Sequence, residues 1–127
     1  MSSTDTMALV LHLEHRRSTP KVQQIFEQAD SGESTVHIPA IVFAEILYLS
    51  EKQRISLTPK QLRSHLAGHD NYVEIPLSLE VVQCAERILD IPELHDRLIA
   101  ATASFLDLEV ITNDPKIQAS ASVVSIW

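Results

Sequence analysis

The segment that decides the fold reads His95-Asp96-Arg97-Leu98-Ile99-Ala100-Ala101-Thr102-Ala103 and then, after a short connection, Val110-Ile111-Thr112-Asn113-Asp114. The first part predicts a buried helix that opens on an acid, and the second predicts a short apolar strand that ends in another acid. In a parallel sheet, the residues just after a strand and in the first turn of the next helix share one edge. We therefore expect Asp96 and Asp114 to lie close together.

The rest of the chain continues this alternation of short strands and helices. Strands are predicted before residue 5 and at 35–38, 72–75, 109–112 and 123–126, and helices at about 7–13, 20–29, 39–52, 59–67, 78–89 and 96–106. The fourth helix opens on a capping box, because Thr58 is followed three residues later by Gln61. About five such alternations predict an α/β fold, a parallel sheet with helices on both faces.

Composition narrows the class of protein. The 127 residues are 45% hydrophobic and 21% charged, which predicts one soluble globular domain over residues 1–127. No apolar run approaches the roughly 18 residues of a membrane span. The single cysteine, Cys84, cannot form an internal disulfide, and a cytoplasmic location is expected. Two glycines in the whole chain exclude a glycine-rich phosphate loop.

The net charge of −7 argues against a protein that holds nucleic acid by a broad basic surface. It does not exclude a nuclease whose acids are neutralised by a divalent metal ion.

Glu45 is the most informative single acid. It is the only charged residue between Ile38 and Leu49, and on a helix it lies in one row with Ile41 and Leu49. Burying an unpaired carboxylate costs several kcal/mol, so such a group needs a partner, a proton or a metal ion. The alternative is an acid at the edge of the apolar stripe that pairs with an arginine.

Three further acids occupy comparable places, at strand ends or helix starts: Asp5, Asp96 and Asp114. Taken singly, Asp5 and Asp96 are also typical helix caps, and Asp114 is a typical turn residue. Taken with Glu45 they predict a cluster of four carboxylates at one edge of the sheet. Hard oxygen ligands without a cysteine or histidine set favour Mg²⁺ or Mn²⁺, and such sites serve phosphoryl chemistry.

At these residues the chain resembles the PIN domain family, and within it the ribonuclease toxins of VapBC-type toxin–antitoxin pairs. Asp5-Thr6 ahead of an apolar helix is similar to the family's opening element, and Glu45 in Val-Phe-Ala-Glu-Ile-Leu resembles its second acid. The stretch at 95–103 resembles the helix of the third acid, and Ile-Thr-Asn-Asp-Pro resembles the strand and loop of the fourth. Met7 departs from the family, which often has a polar residue there.

The resemblance implies a three-layer α/β/α sandwich with a five-stranded parallel sheet and Mg²⁺- or Mn²⁺-dependent hydrolysis of RNA. It also implies a homodimer and inhibition by a cognate antitoxin. The metal ligands would be Asp5, Glu45, Asp96 and Asp114. A metal-bound water would attack the phosphodiester. Thr112 would orient an acid or a water, Thr6 would support the acids or contact the substrate, and Arg97 would contact the substrate phosphate. For Arg97 a surface salt bridge is the alternative.

Three other functions are alternatives to a toxin ribonuclease. The same fold can serve RNA maturation or turnover without toxicity, or act as an inactive protein-binding module. A receiver-like signalling domain is also small, acidic and doubly wound, but it needs an acid pair after the first strand and an aspartate after the third. Here Asp5 stands alone, and Pro76-Leu77-Ser78 follows the third strand.

Two histidine pairs have spacings that can hold a metal ion on a helix. His12 and His15 are three residues apart, and His65 and His69 are four apart. Neither pair has a third ligand nearby in the sequence, so polar helix faces are the expected role of both.

Overall fold

A five-stranded parallel sheet forms the centre of the computed structural model, which describes residues 1–127. Its strands are β1 (Ser2–Thr4), β2 (Val36–Pro39), β3 (Tyr72–Ile75), β4 (Glu109–Ile111) and β5 (Ser125–Ile126), in the spatial order β3-β2-β1-β4-β5. Every neighbouring pair is parallel. The prediction of a five-stranded parallel sheet in an α/β/α sandwich is confirmed.

The helices connect and cover these strands. They are α1 (Thr6–Leu13), α2 (Pro20–Asp30), α3 (Ala40–Glu51), α4 (Pro59–Ala67), α5 (Leu79–Glu86), α6 (Leu94–Phe105) and α7 (Pro115–Gln118). No helix has the length and hydropathy needed to pass through a bilayer.

The strand order places a switch point at the middle of the sheet. The chain starts in β1, moves outward through β2 and β3, and then returns to the other side of β1 with β4 and β5. The register pairs Thr4 with Ile111, so β1 and β4 end level with each other. In open α/β sheets, functional crevices form beyond the carboxyl ends of the strands at such a reversal.

The core lies on both sides of the central strands. Helix α6 carries an uninterrupted buried run from Leu98 to Ala103, in which three alanines let the helix approach the sheet closely. Strand β1 is polar but buried, because it lies between two other strands, and Ser3 and Thr4 have no exposed surface. Thr4 satisfies its hydroxyl by donating to the Asp5 carbonyl at 2.9 Å.

Several element boundaries differ from the sequence prediction. Helix α5 ends at Glu86, three residues early. Helix α6 begins at Leu94 because Glu93, rather than Asp96, is its N-cap and accepts from the Asp96 amide at 2.7 Å. The short helix α7 was not predicted, since a four-residue helix has no periodicity to detect.

Candidate active site

Asp5 directly follows the central strand β1, and Asp114 is the third residue after the end of the neighbouring strand β4. Each caps the helix that follows: Asp5 accepts a hydrogen bond from the Ala8 amide at 2.8 Å, and Asp114 accepts one from the Lys116 amide at 2.8 Å. Their capping role and their place at the sheet edge are therefore not alternatives. Capping uses one carboxylate oxygen of each, Oδ1 in both residues, and orients the group toward the switch point.

Thr112 joins these two acids. Its hydroxyl donates to Oδ2 of Asp5 at 2.6 Å and accepts from the amide of Asp114 at 3.0 Å. Thr112 has no exposed surface, so the contact with Asp5 is fully shielded from solvent. This threonine fixes the orientation of one acid and the backbone position of the other.

Glu45 reaches the same edge from the middle of α3. Its Oε1 accepts a hydrogen bond from the hydroxyl of Thr6 at 2.7 Å. The glutamate is half-buried, and no arginine pairs with it, so the alternative of a salt bridge at the edge of the stripe does not hold. Thr6 thus orients the carboxylate of Glu45 by a hydroxyl hydrogen bond, as Thr112 orients that of Asp5.

Asp96 is the third residue of α6. Because Glu93 takes the capping position, the carboxylate of Asp96 is not needed to cap the helix. It is half-buried and faces the other acids across the cleft.

The four acids line one cleft of about 320 Å³. The remaining lining residues come from the same elements: Thr6, Met7, Ile99, Asn113 and Pro115. None of the four acids forms an ion pair with a lysine, arginine or histidine. The structure therefore brings all four predicted acids together, and their negative charge has no basic side chain to balance it.

Burial and the neighbouring charges raise the pKa of two of these acids. Burial raises the pKa of Asp5 to about 6, and the charges of Asp114 and Glu45 add to this, against the hydrogen bonds from Thr112 and Ala8. Burial also raises the pKa of Asp96 to about 6, together with the charges of Asp114, Glu93 and Glu45. Both pKa shifts come mainly from burial of the carboxyl group, and repulsion between neighbouring carboxylates adds to them.

Arg97 does not line this cleft. Its guanidinium donates to the carbonyl oxygens of Ile91 at 2.9 Å and Pro92 at 3.4 Å, and it forms no salt bridge. These contacts hold the loop before α6. The surface salt bridge considered from the sequence is not formed, and the contact of Arg97 with a substrate phosphate stays a prediction.

Two residues near the acids were not singled out from the sequence. Asn113 lines the cleft. In the sequence, only its position between Thr112 and Asp114 pointed to it. Glu93 caps α6 and contributes to the raised pKa of Asp96. Glutamate is not among the residues preferred at N-caps, so this role of Glu93 could not be recognised from the sequence.

Fold and cleft together define a doubly wound α/β protein with a carboxylate site at its switch point. The family model of the PIN domain matches residues 4–122, and the chain belongs to this family. PIN domains as a family are nucleases. A search of the curated proteins found no significant match.

Solved structures share the fold over their whole length. VapBC2 from Rickettsia felis, bound to a DNA fragment from its promoter, matches with a TM-score of 0.73 and 20% identity over 99% of this chain and 98% of that one. DNA-bound VapBC from Salmonella typhimurium matches with a TM-score of 0.72 and 18% identity over 99% and 98%. A toxin–antitoxin complex from Klebsiella pneumoniae matches with a TM-score of 0.65 and 21% identity over 98% and 96%. At these identities the likeness establishes the fold.

Proposed function

We propose that this PIN domain is a metal-dependent ribonuclease that hydrolyses RNA phosphodiester bonds at the four-acid cleft. The observation that carries the proposal is the convergence of Asp5, Glu45, Asp96 and Asp114 on one cleft without a basic partner. An inactive protein-binding module would have no need of such an arrangement, because uncompensated carboxylates destabilise the fold that holds them.

The donor set fits Mg²⁺ or Mn²⁺. Carboxylate oxygens are the ligands that these ions take, and the cleft lining contains neither histidine nor cysteine. Asp5, Glu45, Asp96 and Asp114 would hold the ion. When bound, it supplies an activated water and stabilises negative charge on the phosphate oxygens.

The chain's own residues position these ligands. Thr112 holds Oδ2 of Asp5, and Thr6 holds Oε1 of Glu45, so two of the four carboxylates keep a fixed orientation. Such outer contacts set the direction of a metal ligand and commonly change affinity by about 10–100-fold when removed. The wide, open cleft leaves room for a phosphodiester beside the acids.

The proposed biological role is that of the toxin in a cytoplasmic toxin–antitoxin pair. A toxin–antitoxin complex is among the structures that share the fold over nearly the full chain. The cognate partner would be an antitoxin protein that inhibits cleavage at the cleft. Service in RNA maturation remains the alternative role of the same chemistry.

A homodimer is proposed as well. Leu79 and Val82 lie one turn apart on α5 and are 67% and 38% exposed, and Leu77 and Leu89 beside that helix are also exposed. Exposed apolar side chains gathered on one segment are typical of protein–protein contacts.

The experiment that tests the activity is cleavage of a mixed RNA pool by protein freed of any co-purifying partner. Cleavage is expected with Mn²⁺, is expected to stop with EDTA, and is expected to be lost in Glu45→Gln. Glu51→Gln makes the same change at an exposed position of the same helix and should cleave normally. Cleavage that persists in EDTA or in Glu45→Gln would contradict the proposal.

A further inference from the structure

A second group of metal-ligating side chains lies where three helices end. His12 is in the last turn of α1, Asp30 is the last residue of α2, and His65 is in the last turn of α4. His12 is seven residues along α1 from the Asp5 cap, which places it about 10 Å from the acid cleft along the helix axis. The group is therefore separate from the cleft.

Asp30 is the centre of this group. Nε2 of His12 lies 2.8 Å from its Oδ2, and Nε2 of His65 lies 2.9 Å from its Oδ1. One ligand atom from each of the three residues lies within 4.8 Å of the others. Both imidazoles thus point the same type of nitrogen at one carboxylate.

The surroundings hold these groups in place. The ring of His12 stacks on Phe26 with centroids 4.8 Å apart, and the ring of His65 stacks on His69 at 4.0 Å. Tyr72 donates its hydroxyl to Oδ1 of Asp30 at 2.6 Å. A carboxylate that is oriented by an outer hydrogen bond is the arrangement found around metal ligands.

The field at this point favours a cation. The carboxyl-terminal ends of three helices, of eight, eleven and nine residues, meet here, and each carries partial negative charge. Asp30, the last residue of α2, adds a full negative charge at the negative end of the helix dipole.

We propose that His12, Asp30 and His65 form a second cation site, which binds a zinc-type transition-metal ion and ties α1, α2 and α4 together. Two imidazole nitrogens and one carboxylate oxygen are a typical zinc ligand set, and a water completes the tetrahedron. The acid cleft offers oxygen ligands alone, so the two sites select different metals.

The rearrangement needed is small. Bonds of about 2.0–2.1 Å place tetrahedral ligands about 3.4 Å apart. The two nitrogen–oxygen contacts, 2.8 and 2.9 Å, are made to different oxygens of Asp30, so the ion would take one of these oxygens and the contact to it would lengthen. One ligand atom from each residue already lies within 4.8 Å of the others. An ion between the three atoms replaces the two histidine–aspartate hydrogen bonds.

The site is open to solvent. His65 lines a cavity of about 520 Å³ between α1 and α4, and His12 lines a neighbouring cavity of about 210 Å³. All three ligand residues are half-buried. A hydrated ion can therefore enter, and the fourth ligand can be water.

The test is a calorimetric titration of the full chain with Zn²⁺. The buffer contains millimolar Mg²⁺, which occupies the acid cleft. The wild type is expected to bind one Zn²⁺, and His65→Gln is expected to bind it more than about 100-fold more weakly, since loss of an outer contact alone costs about 10–100-fold. Glutamine can still donate to Asp30, so the hydrogen-bonded link between helices survives in this variant. Tyr72→Phe is a second variant, expected to weaken Zn²⁺ binding about 10–100-fold.

The matched control is His15→Asn. His15 is an exposed imidazole close to His12, with a φ of 56°, a conformation that asparagine accepts. It should leave Zn²⁺ binding unchanged, as should Glu45→Gln in the cleft. Equal binding by the wild type and His65→Gln would show that the cluster is only a hydrogen-bonded link. Binding lost in Glu45→Gln but kept in His65→Gln would assign the ion to the cleft; either result overturns the proposal.

Discussion

Thr112 has a single hydroxyl that serves two acids on different strand ends. It donates to Asp5 and accepts from the amide of Asp114. Thr112 donates to Oδ2 of Asp5, and the other carboxylate oxygen, Oδ1, caps α1. The orientation of Asp5 in the cleft therefore depends on two donors, one from its own helix and one from β4's end.

Thr112→Val removes both hydroxyl contacts and keeps the shape of the side chain. Oδ2 of Asp5 loses its donor in a buried place, so we expect cleavage to fall about 10–100-fold and stability to fall by about 1–3 kcal/mol. Thr112→Ser keeps the hydroxyl and should retain most of both. Initial cleavage rates and denaturant unfolding of the three proteins check this; a fully active Thr112→Val would contradict it.

Asp96 gives a prediction about pH in the metal-free protein. Its pKa is raised to about 6 in the folded chain from an unfolded value of 3.8. The folded state therefore holds the proton more tightly, and the stability this provides is full below pH 3.8 and lost as pH rises through about 6. Ionised Asp96 destabilises the metal-free fold at pH 7.5.

Asp96→Asn replaces that charge by a neutral group of the same shape. In EDTA the variant should melt at a higher temperature than the wild type at pH 7.5, and the difference should shrink as pH falls through about 6 and vanish only below pH 3.8. Thermal unfolding of both proteins at four pH values measures it. A variant that is less stable than the wild type at pH 7.5 would show that Asp96 is not repelled by its neighbours.

At the scale of elements, helix α4 begins on a capping box that the sequence predicts and ends at a residue that contacts a distant segment. Thr58 accepts from the Gln61 amide at 3.2 Å, and Gln61 accepts from the Thr58 amide at 3.0 Å, which confirms the capping box. The far end of the same helix carries His65, which contacts Asp30.

Thr58→Ala removes one half of this box. We expect a loss of about 1 kcal/mol in the free energy of unfolding, because one amide of the first turn loses its acceptor. Thr58→Ser should lose little, since serine caps equally well. Urea unfolding curves of the three proteins decide it, and equal stability of all three would refute the role of the cap.

Much of the fold and of the cleft was predictable because their signals are local. The capping box, the apolar strands and the acids beside them can each be recognised within a few residues. The alternation of strands and helices also predicted that the four acids share one sheet edge, but not which side chains form hydrogen bonds there. Thr112 and Asp5 are 107 residues apart, and their meeting depends on the order of strands in the sheet.

The same limit explains the histidine cluster. From the sequence, neither histidine pair had a third ligand nearby. In the structure, His12 and His65, one from each pair, both contact Asp30. Asp30 is 18 residues from His12 and 35 from His65 in the sequence. Only the packing of three helix ends brings one histidine of each pair to the same carboxylate.

At the scale of the whole molecule, the sheet order confines the acid cleft to one edge and leaves α5 on the outside. The exposed Leu79 and Val82 on that helix predict a homodimer. Leu79→Glu places a charge in the first turn of α5, where the helix dipole accepts it, so folding should be kept and the dimer lost.

Light scattering after size-exclusion chromatography measures this at micromolar protein. Leu47→Glu alters an exposed leucine of α3 and should leave the dimer intact. A monomeric wild type, or a Leu79→Glu variant that still dimerises, would rule out this surface.

The central claim is that the cleft acids hold the divalent ion that cleavage requires. The most direct measurement is the rate of RNA cleavage against Mn²⁺ concentration for the wild type, Asp96→Asn and the control Asp107→Asn. Asp107 is an exposed acid with a φ of 55°, where asparagine fits without strain. Saturable Mn²⁺-dependent cleavage is expected in the wild type and the control, and no cleavage in a folded Asp96→Asn. Full cleavage by Asp96→Asn would contradict it.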